Sequence, residues 1–122
     1  NFDAIGGDCD AAVDELNCRI AEYAKAVVQN RPNFHINLVI DVSPNCDCHG
    51  ENDLPIIPDV GMFASFDPVA LDKACADLCN QMTPISESIL GEKMAEQEGC
   101  DCEEHAEKIG VGTREYELVV VK

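Results

Sequence analysis

The segment at residues 60–82, V-G-M-F-A-S-F-D-P-V-A-L-D-K-A-C-A-D-L-C-N-Q-M, changes from a strand pattern to a helix pattern within a few residues. Val60–Ser65 is a short, mostly apolar run that is typical of a strand. Asp67-Pro68 marks a helix start, because an aspartate side chain caps free backbone N–H groups and proline fits the first helical position. Apolar residues then recur at steps of three and four, which predicts a helix over 67–82. A strand followed directly by a helix indicates an α/β domain.

The segments on either side supply the other predicted elements. Phe34–Val42 is nearly continuous in apolar, mostly β-branched residues, which predicts a strand buried on both faces. Tyr116–Val121 (Y-E-L-V-V-V) predicts a final strand. Helical spacing predicts three further helices: 10–29, 85–98 and 103–109, the last closed by Gly110 as its C-cap residue.

These elements predict one α/β domain over residues 1–122, with a small, mainly parallel or mixed sheet of about three strands covered by helices. Residues 1–9 are expected to be a flexible lead into the first helix, because Gly6-Gly7 breaks regular structure and no apolar periodicity anchors them. The chain starts at Asn1 in an acidic segment without a methionine. We therefore expect it to be a fragment of a longer protein.

Composition excludes several classes of function. The 122 residues include 24 acidic and 8 basic side chains, for a net charge of −16. A surface of this sign repels nucleic-acid phosphates and anionic membranes, so neither is an expected partner. No run approaches the roughly 20 apolar residues of a membrane span. The eight cysteines occur without a visible signal peptide, which favours reduced thiols in the cytoplasm over a secreted disulfide scaffold.

Cys46-Asp47-Cys48-His49 is the sharpest local motif. In an extended chain, side chains two residues apart share a face, so both thiolates can reach one thiophilic metal or an iron–sulfur cluster. His49 can join them if the chain turns at Gly50, and His105 is a second candidate ligand. Two other interpretations stay open: a redox-active thiol pair, and two thiols without chemistry.

The remaining cysteines give weaker signals. Cys100-Asp101-Cys102 with His105 repeats the same composition, and two unrelated loops are favoured over one shared site. Cys75 is in step with Leu71 and Leu78 on the predicted helix, so core packing is the favoured interpretation.

Three aspartates form a second constellation. Asp41 ends the first predicted strand, while Asp59 and Asp67 flank the second. If those strands run parallel, Asp41 and Asp67 lie at the same edge of the sheet, where ligand sites commonly form. Clustered carboxylates can hold Mg²⁺ or act in acid–base chemistry. A plain helix cap is the favoured role of Asp67.

The segments I-N-L-V-I-D-V-S-P-N-C-D-C (36–48) and P-D-V-G-M-F-A-S-F-D-P-V-A-L-D-K-A (58–74) resemble the family called domain of unknown function 362, whose members are often described as iron–sulfur centre proteins. His105–Leu118 resembles the family's closing helix, glycine turn and strand. The resemblance implies a ferredoxin-type module with two [4Fe–4S] motifs upstream, and hence that this chain is the C-terminal part. It maps the family's pattern onto Cys46, Asp47, Cys48, Asp59, Asp67, Asp72 and His105. Cys100 and Cys102 fall outside that pattern.

We therefore expect an accessory domain of a cytoplasmic iron–sulfur protein that assists electron transfer. Its expected site is a cluster, or a thiophilic metal such as zinc, at Cys46 and Cys48. The upstream module is the expected partner, with a redox protein as a further one. Two alternatives stay open: an enzyme with a carboxylate-bound metal and a small substrate, and an acidic docking module for a basic partner.

Overall fold

The computed structural model describes residues 9–44, 54–85 and 102–121. In chain order these contain helix α1, strands β1 and β2, and helices α2 and α3. Their bounds are Cys9–Val28, His35–Val39, Gly61–Ser65, Pro68–Gln81 and Cys102–Lys108. The predicted α/β class and the strand-to-helix unit are confirmed. None of the helices in these ranges is long and apolar enough to cross a bilayer.

The two strands pair antiparallel, with His35 opposite Ser65 and Val39 opposite Gly61. The α/β class holds, but the predicted mainly parallel or mixed sheet of about three strands is not matched in the described residues, where the sheet has two antiparallel strands. A parallel pair needs a long crossover, usually a helix. The proline-rich segment between β1 and β2 instead returns the chain to the end at which β1 stopped.

Of the first and last strands predicted along the chain, the first was too long and the last does not form in the described structure. The predicted strand 34–42 shrinks to His35–Val39, and Asp41 just beyond it adopts a positive φ of 50° that turns the chain. Residues 116–121 form no strand with any described neighbour, and their side chains are exposed. Apolar β-branched content gives a segment the capacity to pair, but a free strand edge beside it is also required. The predicted helix 85–98 lies, apart from Ile85, outside the described residues.

Helix α2 is the central packing element. Leu71 and Cys75 are buried against Val39 of β1. Val69, on the other side of the helix, is buried with Ala21 of α1 and Ala106 of α3. The sheet and the α1–α3 pair therefore pack on different sides of α2.

The face of the sheet turned away from α2 is open within the described part of the chain. Inward and outward residues alternate along both strands, and Ile36, Leu38 and Met62 on the outer face are 57–71% exposed. The prediction that the first strand is buried on both faces is therefore wrong here, because no described element packs on that second face.

Asp67 joins α2 to the turn after α3. Its Oδ1 accepts the backbone N–H groups of Val69 and Ala70 at 2.9 and 3.1 Å, which confirms the predicted N-cap. Its Oδ2 accepts the N–H of Thr113 at 2.9 Å. A Cβ at Gly112 would lie 2.6 Å from Asp67 Cγ, so only glycine permits this approach.

Helix α3 ends as predicted at Gly110, whose φ of +77° places it in the left-handed region. The Gly110 N–H donates to Glu107 C=O at 3.0 Å, and the Val111 N–H donates to Ala106 C=O at 2.9 Å. The Glu107 carboxylate also accepts the Arg114 N–H at 2.8 Å and Nε–H at 2.9 Å. The helix end and the turn after it are thus held as one unit.

Asp67→Ala should lower the free energy of unfolding by about 1–3 kcal/mol, because it removes the cap and orphans the Thr113 N–H. Asp67→Asn should cost less, since asparagine caps nearly as well but loses one acceptor oxygen. Gly112→Ala should also destabilise, because its methyl group displaces the Asp67 carboxylate. Urea denaturation followed by circular dichroism measures all three, with exposed Glu117→Ala as the control. Equal stability of Asp67→Ala and the control would contradict this account.

Acid should weaken the junction between α3 and the turn. Hydrogen bonds from the Arg114 backbone and then its guanidinium hold the pKa of Glu107 below its ordinary 4.5. Because the pKa of Glu107 is lower in the folded than in the unfolded chain, its carboxylate stabilises the fold at pH values above the unfolded-state pKa. This contribution is lost as the pH falls through the folded-state pKa. Glu107→Gln should therefore flatten the fall in stability below about pH 4.5. Denaturant midpoints measured across that range test this, and parallel curves for variant and parent would refute it.

Candidate functional site at the base of the cysteine loop

The predicted ligands Cys46, Cys48 and His49 lie outside the described residues, but both ends of their loop are described. The Ile56 N–H donates to Val42 C=O at 2.8 Å, and the Val60 N–H donates to Val39 C=O at 2.9 Å. The two described ends of the loop are therefore hydrogen-bonded to each other beside the end of β1.

Buried side chains anchor the returning end of this base. Ile56 and Ile57 are 6% and 1% exposed. The Ile56 C=O also accepts the N–H of Ile85, just beyond the end of α2, at 2.8 Å. The base of the loop is thus tied to β1 and to the chain after α2.

Two of the three candidate aspartates lie at this base. The Asp41 N–H donates to Asp59 Oδ1 at 3.0 Å, and both side chains are exposed. Asp67 follows the far end of β2, because the strands are antiparallel. The expectation that Asp41 and Asp67 share one edge is therefore wrong.

The cysteines of α2 face the sheet. Cys75 is 8% exposed, which confirms its predicted core position, and Cys79 packs on the same cluster as Val42 and Val60. Burial raises the pKa of both thiols. Asn37 Nδ2 donates to Cys75 Sγ at 3.7 Å, which opposes part of that rise.

His105 lies on the other side of α2 from this loop base. Its Nε2 is 3.8 Å from Glu22 Oε1 on α1, and this nitrogen has no hydrogen-bond partner among the described residues. Cys102, one helical turn earlier, packs on the Ala21–Val69–Ala106 cluster, while Cys100 is outside the described residues. Within the described ranges, no three His, Cys, Asp or Glu side chains come together as a metal site.

The model of the family described as domain of unknown function (DUF362) matches residues 6–77, more than half of the chain. The chain belongs to the DUF362 family. The DUF362 match runs from before α1 into α2, so it includes the cysteine loop and Asp67 and ends before α3. No curated protein matches the chain, and no solved structure matches it.

Cys75 and Cys79 should react slowly with iodoacetamide in the folded protein. The thiolate is the reactive form, and a raised pKa lowers its fraction at any given pH. The alkylation rate of each thiol should rise with pH and reach half its maximum above pH 9.0, the ordinary pKa of a cysteine thiol. Cys75 should react more slowly than Cys79, because it is more buried. Mass spectrometry of peptides from native and urea-unfolded samples measures both rates. Labelling of native Cys75 at its unfolded rate would show that this thiol is not in the core.

Proposed function

We propose that this DUF362 chain is the C-terminal domain of an iron–sulfur centre protein, in which Cys46 and Cys48 bind a cluster or a thiophilic metal such as zinc. The observation that carries the proposal is the pinned base of the loop that contains them. When both ends of a loop are fixed, the ligands that the loop carries are confined to a small volume, and this reduces the entropy lost when a metal binds.

Two thiolates are too few for a closed tetrahedral site, so other ligands must contribute. His49 adjoins Cys48 in the chain. His105 is a second candidate, although its packing against α1 places it across α2 from the loop base. Cys79 belongs to the same cluster as Val42 and Val60 at the base, and metal binding would have to overcome its raised pKa. A partner chain is the remaining source.

The proposed partner is a ferredoxin-type module upstream in the same protein, acting in the cytoplasm. In this arrangement the domain accepts or relays electrons between that module and a further redox protein. The net charge of −16 favours a partner with a basic contact surface, because opposite charges speed association.

A second candidate is an enzyme that holds a hard cation through Asp41 and Asp59. Its support is the hydrogen bond from the Asp41 backbone N–H to Asp59 Oδ1, which places both residues at the base of the cysteine loop. Carboxylates select Mg²⁺ or Ca²⁺, whereas thiolates select zinc or iron–sulfur clusters, so metal identity separates the two candidates. An acidic docking module is the third candidate and predicts no bound metal.

Elemental analysis of protein purified without oxygen tests the proposal. The parent should carry iron with acid-labile sulfide, or zinc, and Cys46→Ser/Cys48→Ser should lose most of it while keeping its helical circular dichroism. Cys18→Ser, on α1, is the matched control and should keep its metal. His105→Gln shows whether that imidazole contributes. Lower pH should weaken binding, since ligation needs deprotonated sulfur.

A parent and a double variant that carry the same, non-zero amount of metal would refute the thiolate site. Magnesium or calcium that is lost on Asp59→Asn would favour the enzyme. A metal-free parent with Cys46 joined to Cys48 would favour redox thiols, and a metal-free parent with both thiols reduced would favour the docking module.

A further inference from the structure

A cleft of about 580 Å³ lies between the C-terminal end of α1, the turn that follows it and the glycine turn after α3. Its walls include Lys25, Arg31, Phe66 and Val111. Small-molecule sites are commonly about 300–1,000 Å³, so the cleft has the size of a metabolite site. It adjoins Asp67, beyond the end of β2, whereas the cysteine loop starts at the opposite end of the strand pair.

The cleft holds two cations that have no carboxylate partner among the described residues, although the chain has 24 acidic and 8 basic residues. Three other described cations are paired: Arg19 with Glu15 and Glu22, Lys73 with Asp77, and Arg114 with Glu107. Lys108, at the end of α3 and outside the cleft, makes no ion pair with a described residue. Arg31 makes no ion pair with any described residue, and neither does Lys25.

Lys25 is held in place without being neutralised. Its Nζ donates to the C=O of Ile109, which links α1 to the end of α3. An ammonium group has three donor hydrogens, so two stay available after this bond. Its position is fixed before a ligand arrives, which lowers the entropy cost of binding.

The acidic group in the wall is already engaged. Asp67 accepts the N–H groups of Val69, Ala70 and Thr113 through its two oxygens. Its charge also lies at the N-terminus of α2, where the helix dipole offsets it. The side of the cleft that offers unsatisfied charge is therefore the side of Lys25 and Arg31.

An apolar wall completes the cleft. Phe66 is 77% exposed, and its ring meets Phe34 edge to face with the centroids 5.0 Å apart. Val28, Pro32 and Val111 add further apolar surface. Exposed aromatic surface beside fixed polar groups is the usual composition of a small-ligand site.

We propose that this cleft binds a small organic anion, with its phosphate or carboxylate group against Arg31 and Lys25 and a flat apolar body against Phe66. Arginine fits either headgroup, because both present two oxygens to its paired N–H groups. The site does not depend on a metal at the cysteine loop.

NMR titration of the isotope-labelled 122-residue chain tests the site with phenyl phosphate, benzoate, inorganic phosphate and benzyl alcohol as probes. One or both aromatic anions should saturate with a Kd on the order of 1 mM, as expected for ligands of this size. Shifts should concentrate at 25–33, 66–67 and 109–113. Inorganic phosphate should bind more weakly because it lacks the aromatic ring, and benzyl alcohol should bind more weakly because it lacks the anionic group. The better of the two anions identifies the headgroup.

Arg31→Gln should weaken binding about tenfold or more, because it removes a charge-assisted pair. Arg19→Gln makes the same change in net charge outside the cleft and should leave Kd within about twofold. Phe66→Ser should weaken both aromatic anions and leave inorganic phosphate unchanged. No saturable binding of either aromatic anion, or equal Kd values for Arg31→Gln and Arg19→Gln, would overturn the proposal.

Discussion

The carboxylate of Asp67 is the interaction on which the arrangement of the elements depends. It follows β2 directly, caps the first turn of α2 and accepts the Thr113 N–H after α3. One side chain thus fixes the strand-to-helix unit against the third helix, which packs on α1 through Ala106 and Ala21. The contact requires Gly112, since a methyl group there would overlap the carboxylate. Asp67 and Gly112 are 45 positions apart in the chain, yet a side chain at position 112 is incompatible with the carboxylate at position 67.

The position of α2 separates two regions with different chemistry. Its sheet side carries Cys75 and Cys79 and leads to the base of the cysteine loop. Its start, at Asp67, adjoins the cleft with Lys25 and Arg31. Because β1 and β2 are antiparallel, these regions lie at opposite ends of the strand pair. The proposed thiolate site and the proposed anion site therefore share no residue.

Membership of the DUF362 family places the cysteine loop, Asp67 and most of α2 in one matched segment, while α3 falls outside it. The Asp67–Thr113 bond crosses that boundary. The remaining oxygen of Asp67, Oδ2, is thus satisfied by the Thr113 N–H, which lies outside the matched segment. The open sheet face carries the apolar side chains of Ile36, Leu38 and Met62, and no described element packs on it.

The sequence by itself determined what depends on neighbouring residues: the cap and first turn of α2, the glycine end of α3, the core position of Cys75 and the α/β class. These follow from local backbone geometry and periodicity. Tertiary structure decided the antiparallel pairing, the failure of 116–121 to pair, the separation of Asp41 from Asp67, and the meeting of Lys25 with Arg31 at a cleft. Each of these depends on which segments meet across long distances in the chain, and no local pattern encodes that choice.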